Sequence, residues 1–460
     1  MFRVSDKNRM GFGTDWTSGP TTGMSARSRV LLGASVLALS AVTWAPKVDA
    51  GGFAVREQSA RFQGSSFAGS AAGLDLSSMF WNPAAVTTRK GMNSEAHGAA
   101  ILGSTRLTNG TSNSATYNTL NAGLSNESGN IASPALVTSS YMNYQINDQL
   151  FLGLSVNAPF GLTTKPDNPW NGQQLGFTSR LLTFNAAPTV GYKLMPGLSV
   201  AAGVQVQYIT TRLTTQADTI FVAPGPPPVT ANAGTVAVEG DDIGVGWTLG
   251  ALYQPSSWTT IGLGFRSSIS HTLEGDQRSS LGNSDITAGV DLPEIVTFSF
   301  AQNLTQNFKV LGTVEWTNWS RVKSIPIECD AAGGLCTGSG AELSSLDLNY
   351  DDGWFFSLGL EYAYTPATTL RGGFAYEISP ATSDTSRTVR LPDNDRYWFS
   401  AGLSHALTPT MHLDLGYTYI LVKDGGISQE IPASSGGGTY TADAESHVNI
   451  LTAGLKMKLH

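Results

Sequence analysis

From Glu95 to the C-terminus the chain divides into about fourteen strand-like stretches, joined alternately by tight turns and by long polar loops. A soluble sandwich has no reason to gather every long connection at one end. A closed up-and-down barrel in a bacterial outer membrane has one, because it uses strands of about ten residues, short turns on the inner side and longer loops outside. The stretches lie near 95–107, 133–146, 149–159, 176–194, 198–214, 242–254, 258–270, 292–303, 307–319, 352–364, 367–378, 395–407, 410–422 and 446–458. The tight links, such as Asn147-Asp148-Gln149 and Met195-Pro196-Gly197, carry turn formers. The long ones, 215–241, 320–351 and 423–445 among them, are Gly-, Ser-, Thr-, Asp- and Pro-rich and are read as solvated loops.

Side chains alternate within these stretches. In the thirteenth, Met411, Leu413, Leu415, Tyr417, Tyr419 and Leu421 share one face, and His412, Asp414, Gly416 and Thr418 take the other. A half-buried soluble sheet shows the same period. The number of strands and the aromatics near their ends favour the membrane: Tyr141, Tyr144, Trp258, Trp316, Trp319, Tyr362, Tyr364, Tyr397 and Trp398 suit the headgroup level. The expected fold is therefore an all-β, 14-stranded antiparallel transmembrane barrel spanning residues 95–460.

Charged residues make up only 13% of the chain, against roughly 25% in an average soluble domain. The formal charge of −8, without a basic stripe, excludes a general nucleic-acid binder. Residues 1–50 read as an N-terminal extension and export signal. The apolar run Val30 to Val42 is too short to cross a bilayer, which needs about 20 residues. Arg27 and Arg29 precede it and Val48-Asp49-Ala50 follows, so a mature start near Gly51 is expected, with Met24 a more usual initiator than Met1. An exported protein meets an oxidising compartment, so Cys329 and Cys336 are read as a disulfide. No His or Cys cluster joins them, and neither a metal nor a cofactor is expected.

Residues 51–94 do not alternate. They are rich in small residues and include Phe53, Phe62, Phe67, Phe80 and Trp81, which a disordered tail would lack. A hatch, or plug, inside the barrel lumen fits this composition, since its backbone polar groups find partners on the inward wall. The inward-facing Arg266, Glu315, Glu361, Arg371 and Asp414 are expected to pair with one another and with hatch residues Arg56, Glu57 and Arg61. No nucleophile–base–orienter set is recognisable, so an enzyme is not expected.

The chain resembles the FadL family of outer-membrane long-chain fatty-acid and hydrocarbon transporters. The likeness begins at Gly52-Phe53 and includes the hatch signature Asn82-Pro83-Ala84. It continues at Ala158-Pro159-Phe160-Gly161-Leu162-Thr163, Asp167-Asn168-Pro169-Trp170, Glu315-Trp316-Thr317-Asn318-Trp319-Ser320 and Leu391-Pro392-Asp393-Asn394-Asp395-Arg396-Tyr397-Trp398. It covers essentially all of 51–460. The resemblance implies a barrel closed by the hatch, capture of apolar ligands from outside, and sideways release through a kink in the third strand. The kink falls on Pro159, Phe160 and Gly161: Pro gives no N–H to the ladder and Gly frees the backbone. Gly52, Phe53, Val55, Phe160, Trp170 and Arg212 are the candidate ligand-binding residues.

Fatty-acid members carry basic residues in the tight pocket, and the matching positions here are Thr215 and Leu346. Arg212 lies nearby, although alternation points it outward, and Lys323 sits in a loop of unfixed direction. The expected function is passive uptake of hydrophobic small molecules, long-chain fatty acids first, by a monomer whose other partners are outer-membrane lipids. Uncharged aromatic or aliphatic hydrocarbons are the alternative ligands, and an outer-membrane lipid hydrolase is the alternative of another class.

Overall fold

The computed structural model describes residues 52–217, 220–223 and 229–459. The signal-peptide reading and its expected cleavage point lie outside them. Fourteen antiparallel strands form the wall: β1 (Met92–Ser112), β2 (Ala135–Gln145), β3 (Leu150–Asn157, resuming as Gly161–Thr164), β4 (Thr178–Met195), β5 (Leu198–Ala217), β6 (Gly234–Ser256) and β7 (Thr259–Arg266, then Ile269–Ser279). The second half is β8 (Gly282–Leu292, then Ile295–Asn303), β9 (Phe308–Thr317, then Ser324–Cys329), β10 (Glu342–Asp347, then Gly353–Thr365), β11 (Thr368–Ile378), β12 (Arg396–Thr408), β13 (Met411–Val422, then Gly425–Glu430) and β14 (Thr439–Lys458). Each pairs with the next, and β14 returns to β1 from Asn93↔Lys458 to Ser112↔Tyr440. Closure is what a bilayer demands, because an unpaired backbone group in hydrocarbon costs several kcal/mol. No helix among the described residues is long and apolar enough to cross a membrane.

The period-two expectation holds across the wall. On β5, Val204, Val206 and Tyr208 are exposed while Gln205 and Gln207 are buried. On β13, Leu415, Tyr417 and Leu421 face out, and Asp414 and Thr418 face in. Three of the expected headgroup aromatics do not. Tyr141 and Trp398 are buried inside because parity along the strand, not nearness to its end, decides the face, and Trp319 is buried in a short helical turn between the two segments of β9. Tyr144, Trp258, Tyr362 and Tyr364 are exposed.

The long polar connections are also more ordered than their composition suggests. Segment 215–241 holds the outer ends of β5 and β6, and 320–351 holds the paired Ser324–Cys329 and Glu342–Asp347. Likewise, Gly425–Glu430 pairs with the start of β14. These strands stand beyond the lipid-facing band: their few apolar side chains, Ile325, Ile327, Leu346 and Ile427, turn to the cores of the outer layer, and no long period-two pattern marks them in the sequence. Cys329 and Cys336 form a disulfide within this outer layer.

The hatch fills the lumen with short helical turns, Ala60–Gln63, Leu76–Phe80 and Pro83–Thr87. Phe62, Phe67, Leu76, Met79 and Trp81 form its apolar core, packed against Phe355 and Trp398 of the wall.

Candidate functional site

Close approach of backbone to backbone seats the hatch. Asn82 caps the turn Pro83–Thr87: its Oδ1 accepts from Ala84 N at 3.0 Å, and Pro83 takes the first helical position. Its Nδ2 donates to Ala71 O (2.8 Å) and to Ala251 O of β6 (2.9 Å), tying the hatch to itself and to the wall. Ala84 is completely buried. The wall opposite is made of glycines: a Cβ on Gly264 would collide with Trp81 O, and one on Gly262 with Ala71 O. Gly264→Val is therefore expected to unseat the hatch while leaving the strand ladder intact. Single-channel recordings should show a large rise in ion conductance, and unchanged conductance would refute this seating.

Buried ions fix the hatch in register. Arg56 pairs with Glu315 (2.5 Å) and Glu377 (3.5 Å) and lies 3.8 Å over the Phe355 ring. Arg61 reaches Glu361 at 2.6 Å, and Glu361 also takes Arg371 at 2.7 Å. Lys456 of β14 bridges Asp75 of the hatch (2.7 Å) and Asp414 (2.9 Å). Two of the expected partners behave otherwise. Arg266 pairs with no acid among the described residues; it donates to Gln205 Oε1 and to Phe80 O, beneath the Phe80 ring. Glu57 is buried, with neither carboxylate oxygen hydrogen-bonded among the described residues.

The wall has a window between β2 and β3. Their ladder ends at Ser140↔Val156, while β2 continues to Ala135 paired only with β1. Above the window the bridge Ala132↔Thr164 closes the gap, with Lys165 N donating to Ile131 O. Within it, β3 bulges at Ala158-Pro159-Phe160 and pairs with the hatch instead of β2: Val55 N donates to Pro159 O and Gly161 N to Phe53 O, both at 2.8 Å. Pro159 and Gly161 thus sit where the strand leaves the wall, and Phe160 and Val55 are buried there.

Over the window, under the outer layer, lies an apolar pocket. Phe53 packs edge-on against Trp319 (4.7 Å) and Phe160 (6.0 Å), and Leu162, Leu273, Leu346 and Leu391 line it further. Gly52 holds a left-handed turn (φ +56°) against the Trp319 ring, and its N–H donates to Asp393 at 2.8 Å. Two expected ligand residues lie elsewhere. Trp170 is fully buried in a separate core of the outer loops with Tyr117, Leu107 and Tyr440. Arg212 is half exposed and paired with Glu239 at 2.9 Å; Glu239, Thr211 and Leu213 border the pocket, but the Arg212 side chain does not line it. Lys323 is half exposed and donates to Tyr350 O.

Arg390 is the buried base of the pocket; Arg180 also borders it, from an exposed position. The Arg390 guanidinium is buried and donates to Thr178 O (3.1 Å), Ser179 Oγ (3.2 Å) and Thr214 O (2.9 Å). Among the described residues no carboxylate pairs with it. Burial among neutral groups pulls its pKa down to about 10. Arg390 directly precedes the motif Leu391–Trp398, which was its only trace in the sequence.

A closed barrel, greasy outside, with a hatch in the lumen and a gap in its side, defines a plugged outer-membrane transport barrel. The chain belongs to the family described as Outer membrane protein transport protein (OMPP1/FadL/TodX), which residues 40–459 match. It is 26% identical over 298 residues to the long-chain fatty acid transport protein of Escherichia coli O6:H1, covering 58% of this chain and 65% of that protein's length. A FadL homologue of Pseudomonas aeruginosa has the same fold, with a TM-score of 0.79 at 20% identity over 89% of this chain and 100% of the other. The Ralstonia pickettii toluene transporter TbuX aligns with a TM-score of 0.61 at 17% identity, covering 88% of this chain and 100% of that one.

Proposed function

We propose that the protein carries long-chain fatty acids passively through the outer membrane, from the apolar pocket to the bilayer by way of the β2–β3 window. The observation that supports this reading is Arg390: a buried cation with no acid partner among the described residues, beside a mostly apolar pocket whose other charged groups, Arg180 and Glu239, have solvent access, suits a carboxylate headgroup with an acyl tail. Each buried CH₂ is worth about 0.8 kcal/mol, so a route lined by apolar side chains that ends in lipid spares a long tail from water. The E. coli relative is named for fatty-acid transport. A second reading, uncharged hydrocarbons, draws support from Leu346, an apolar side chain in the pocket at one of the positions where a base is expected. The TbuX neighbour is named for toluene.

Uptake of labelled oleate and of toluene, in cells with and without the gene, separates the two. Arg390→Met is expected to lower oleate uptake about tenfold, the factor for losing one charge-assisted hydrogen bond, and to leave toluene uptake unchanged. Equal oleate uptake by variant and wild type would remove Arg390 from the route, and toluene uptake without oleate uptake by the wild type would favour the hydrocarbon reading. No uptake of either compound by the wild type would end the transport reading.

A further inference from the structure

We propose that Gln58 is the latch of the wall window and that its release sets the rate of sideways exit. The inference rests on the transport reading above and adds the group that holds the route shut. Gln58 is the hatch residue standing in the gap, and it is completely buried. Both sides of the gap bond to it. From β2, Ser139 Oγ and Tyr141 OH donate to its main-chain carbonyl at 2.7 and 3.0 Å. Toward β3, its Nε2 donates to Ala158 O at 2.8 Å and its Oε1 accepts from Ala158 N at 3.4 Å.

One residue therefore takes the place of the missing strand neighbour. Ser139 lies on the stretch of β2 that has lost its β3 partner, and Ala158 opens the bulge on the facing strand. Its carboxamide offers the donor and acceptor that an adjoining peptide group would supply to Ala158. The same Nε2 also bonds Val55 O at 3.1 Å, which ties the latch to the hatch segment paired with Pro159. Polar backbone at membrane depth is tolerated only where protein or a water-filled cavity meets it. Gln58 meets it here, and in doing so it blocks the path from pocket to lipid. An arriving acyl chain passes only when the carboxamide swings off Ala158 and the Ser139 and Tyr141 hydroxyls let go of the Gln58 carbonyl. The polar part of the seal is hydrogen bonds, with no ion pair across it among the described residues, and Val55, Val137 and Ala158 pack beside it.

Gln58→Ala removes the β3 half of the latch, and Ser139→Ala with Tyr141→Phe removes the β2 half. Either is expected to raise the initial rate of oleate uptake severalfold, up to about tenfold for a net hydrogen bond or two, with ion conductance in planar bilayers unchanged. Conductance is the readout that a merely structural role would move, because a loosened hatch leaks ions as well as substrate. Unchanged or lowered uptake in both variants, or uptake and conductance rising together, would overturn the latch. The wild-type measurement keeps the two readings apart. If the wild type takes up neither oleate nor toluene, the transport reading fails; if it takes them up and the variants do so no faster, the latch alone fails.

Discussion

Deleting Pro159 should reduce uptake to the level of cells lacking the gene, in a barrel that still assembles. Below the kink β3 pairs with β4 as Asn157↔Asn185, and above it as Gly161↔Leu182. Ala158, Pro159 and Phe160 thus face only Thr183 and Phe184, a bulge of one residue. Thr183 already fills the bulge, accepting from Phe160 N at 2.9 Å and donating back to Phe160 O. Removing one residue puts both segments on a single register against β4 and takes away the residue that cannot donate to a ladder. β3 is then free to run straight beside Ala135–Ser139 of β2, which has open positions there. The pairing gained closes the wall where the route leaves it. The hatch contacts through Val55 and Phe53 are lost at the same time, so ion conductance is measured alongside labelled oleate uptake. Heat-modifiable mobility on gels reports assembly. Uptake at the wild-type level from an assembled deletion variant would exclude the window as the exit.

That prediction was partly visible in the residues, and the division is physical. A kink at Pro159-Phe160-Gly161 follows from a missing donor and a missing side chain, which are local properties. Fourteen strands follow from period two, because lipid on one side and a filled lumen on the other impose it on every membrane-crossing segment. The outer strands Ser324–Cys329, Glu342–Asp347 and Gly425–Glu430 are short, turn only a few apolar side chains such as Ile325, Ile327 and Ile427 to local cores, and so read as loops. Tyr141 and Tyr144 cannot both face lipid from one strand, and parity alone would have turned Tyr141 inward. Arg390, by contrast, meets the pocket from a connection more than 150 residues away from the strands that receive it, as its bonds to Thr178 and Thr214 show. No periodicity carries that information. Gln58 lies in a stretch with no alternation at all, and only the position of the gap gives its carboxamide a task.

Glu361→Gln is expected to destabilise the seated hatch by about 3–5 kcal/mol, the usual cost of breaking a buried ion pair from one side. Glu361 is buried and is shared by three cations: Arg61 of the hatch at 2.6 Å, Arg371 at 2.7 Å and Lys309 at 3.5 Å. Removing its charge leaves, among the described residues, Arg61 paired with Asp75 alone at 4.0 Å and Arg371 with Asp414 alone at 3.8 Å. Those two acids are already engaged by Lys456. Lys309 reaches an open cavity, but the Arg61 and Arg371 side chains are buried, so their charge is left poorly compensated with the hatch seated. The wall does not depend on Glu361, since the ladder pairs Glu361↔Arg371 and Lys309↔Glu361 are held by backbone bonds. The loss should therefore appear as a separate early transition when thermal unfolding in detergent is followed by tryptophan fluorescence, with Trp81 reporting the hatch. Far-ultraviolet circular dichroism, which reports the barrel, should keep its wild-type midpoint. Glu239→Gln, which breaks the half-exposed pair with Arg212 on the outer rim, should leave both transitions unmoved. A Glu361→Gln protein with an unshifted hatch transition would show that apolar packing and the backbone bonds at Asn82, and not the ion network, hold the hatch in place.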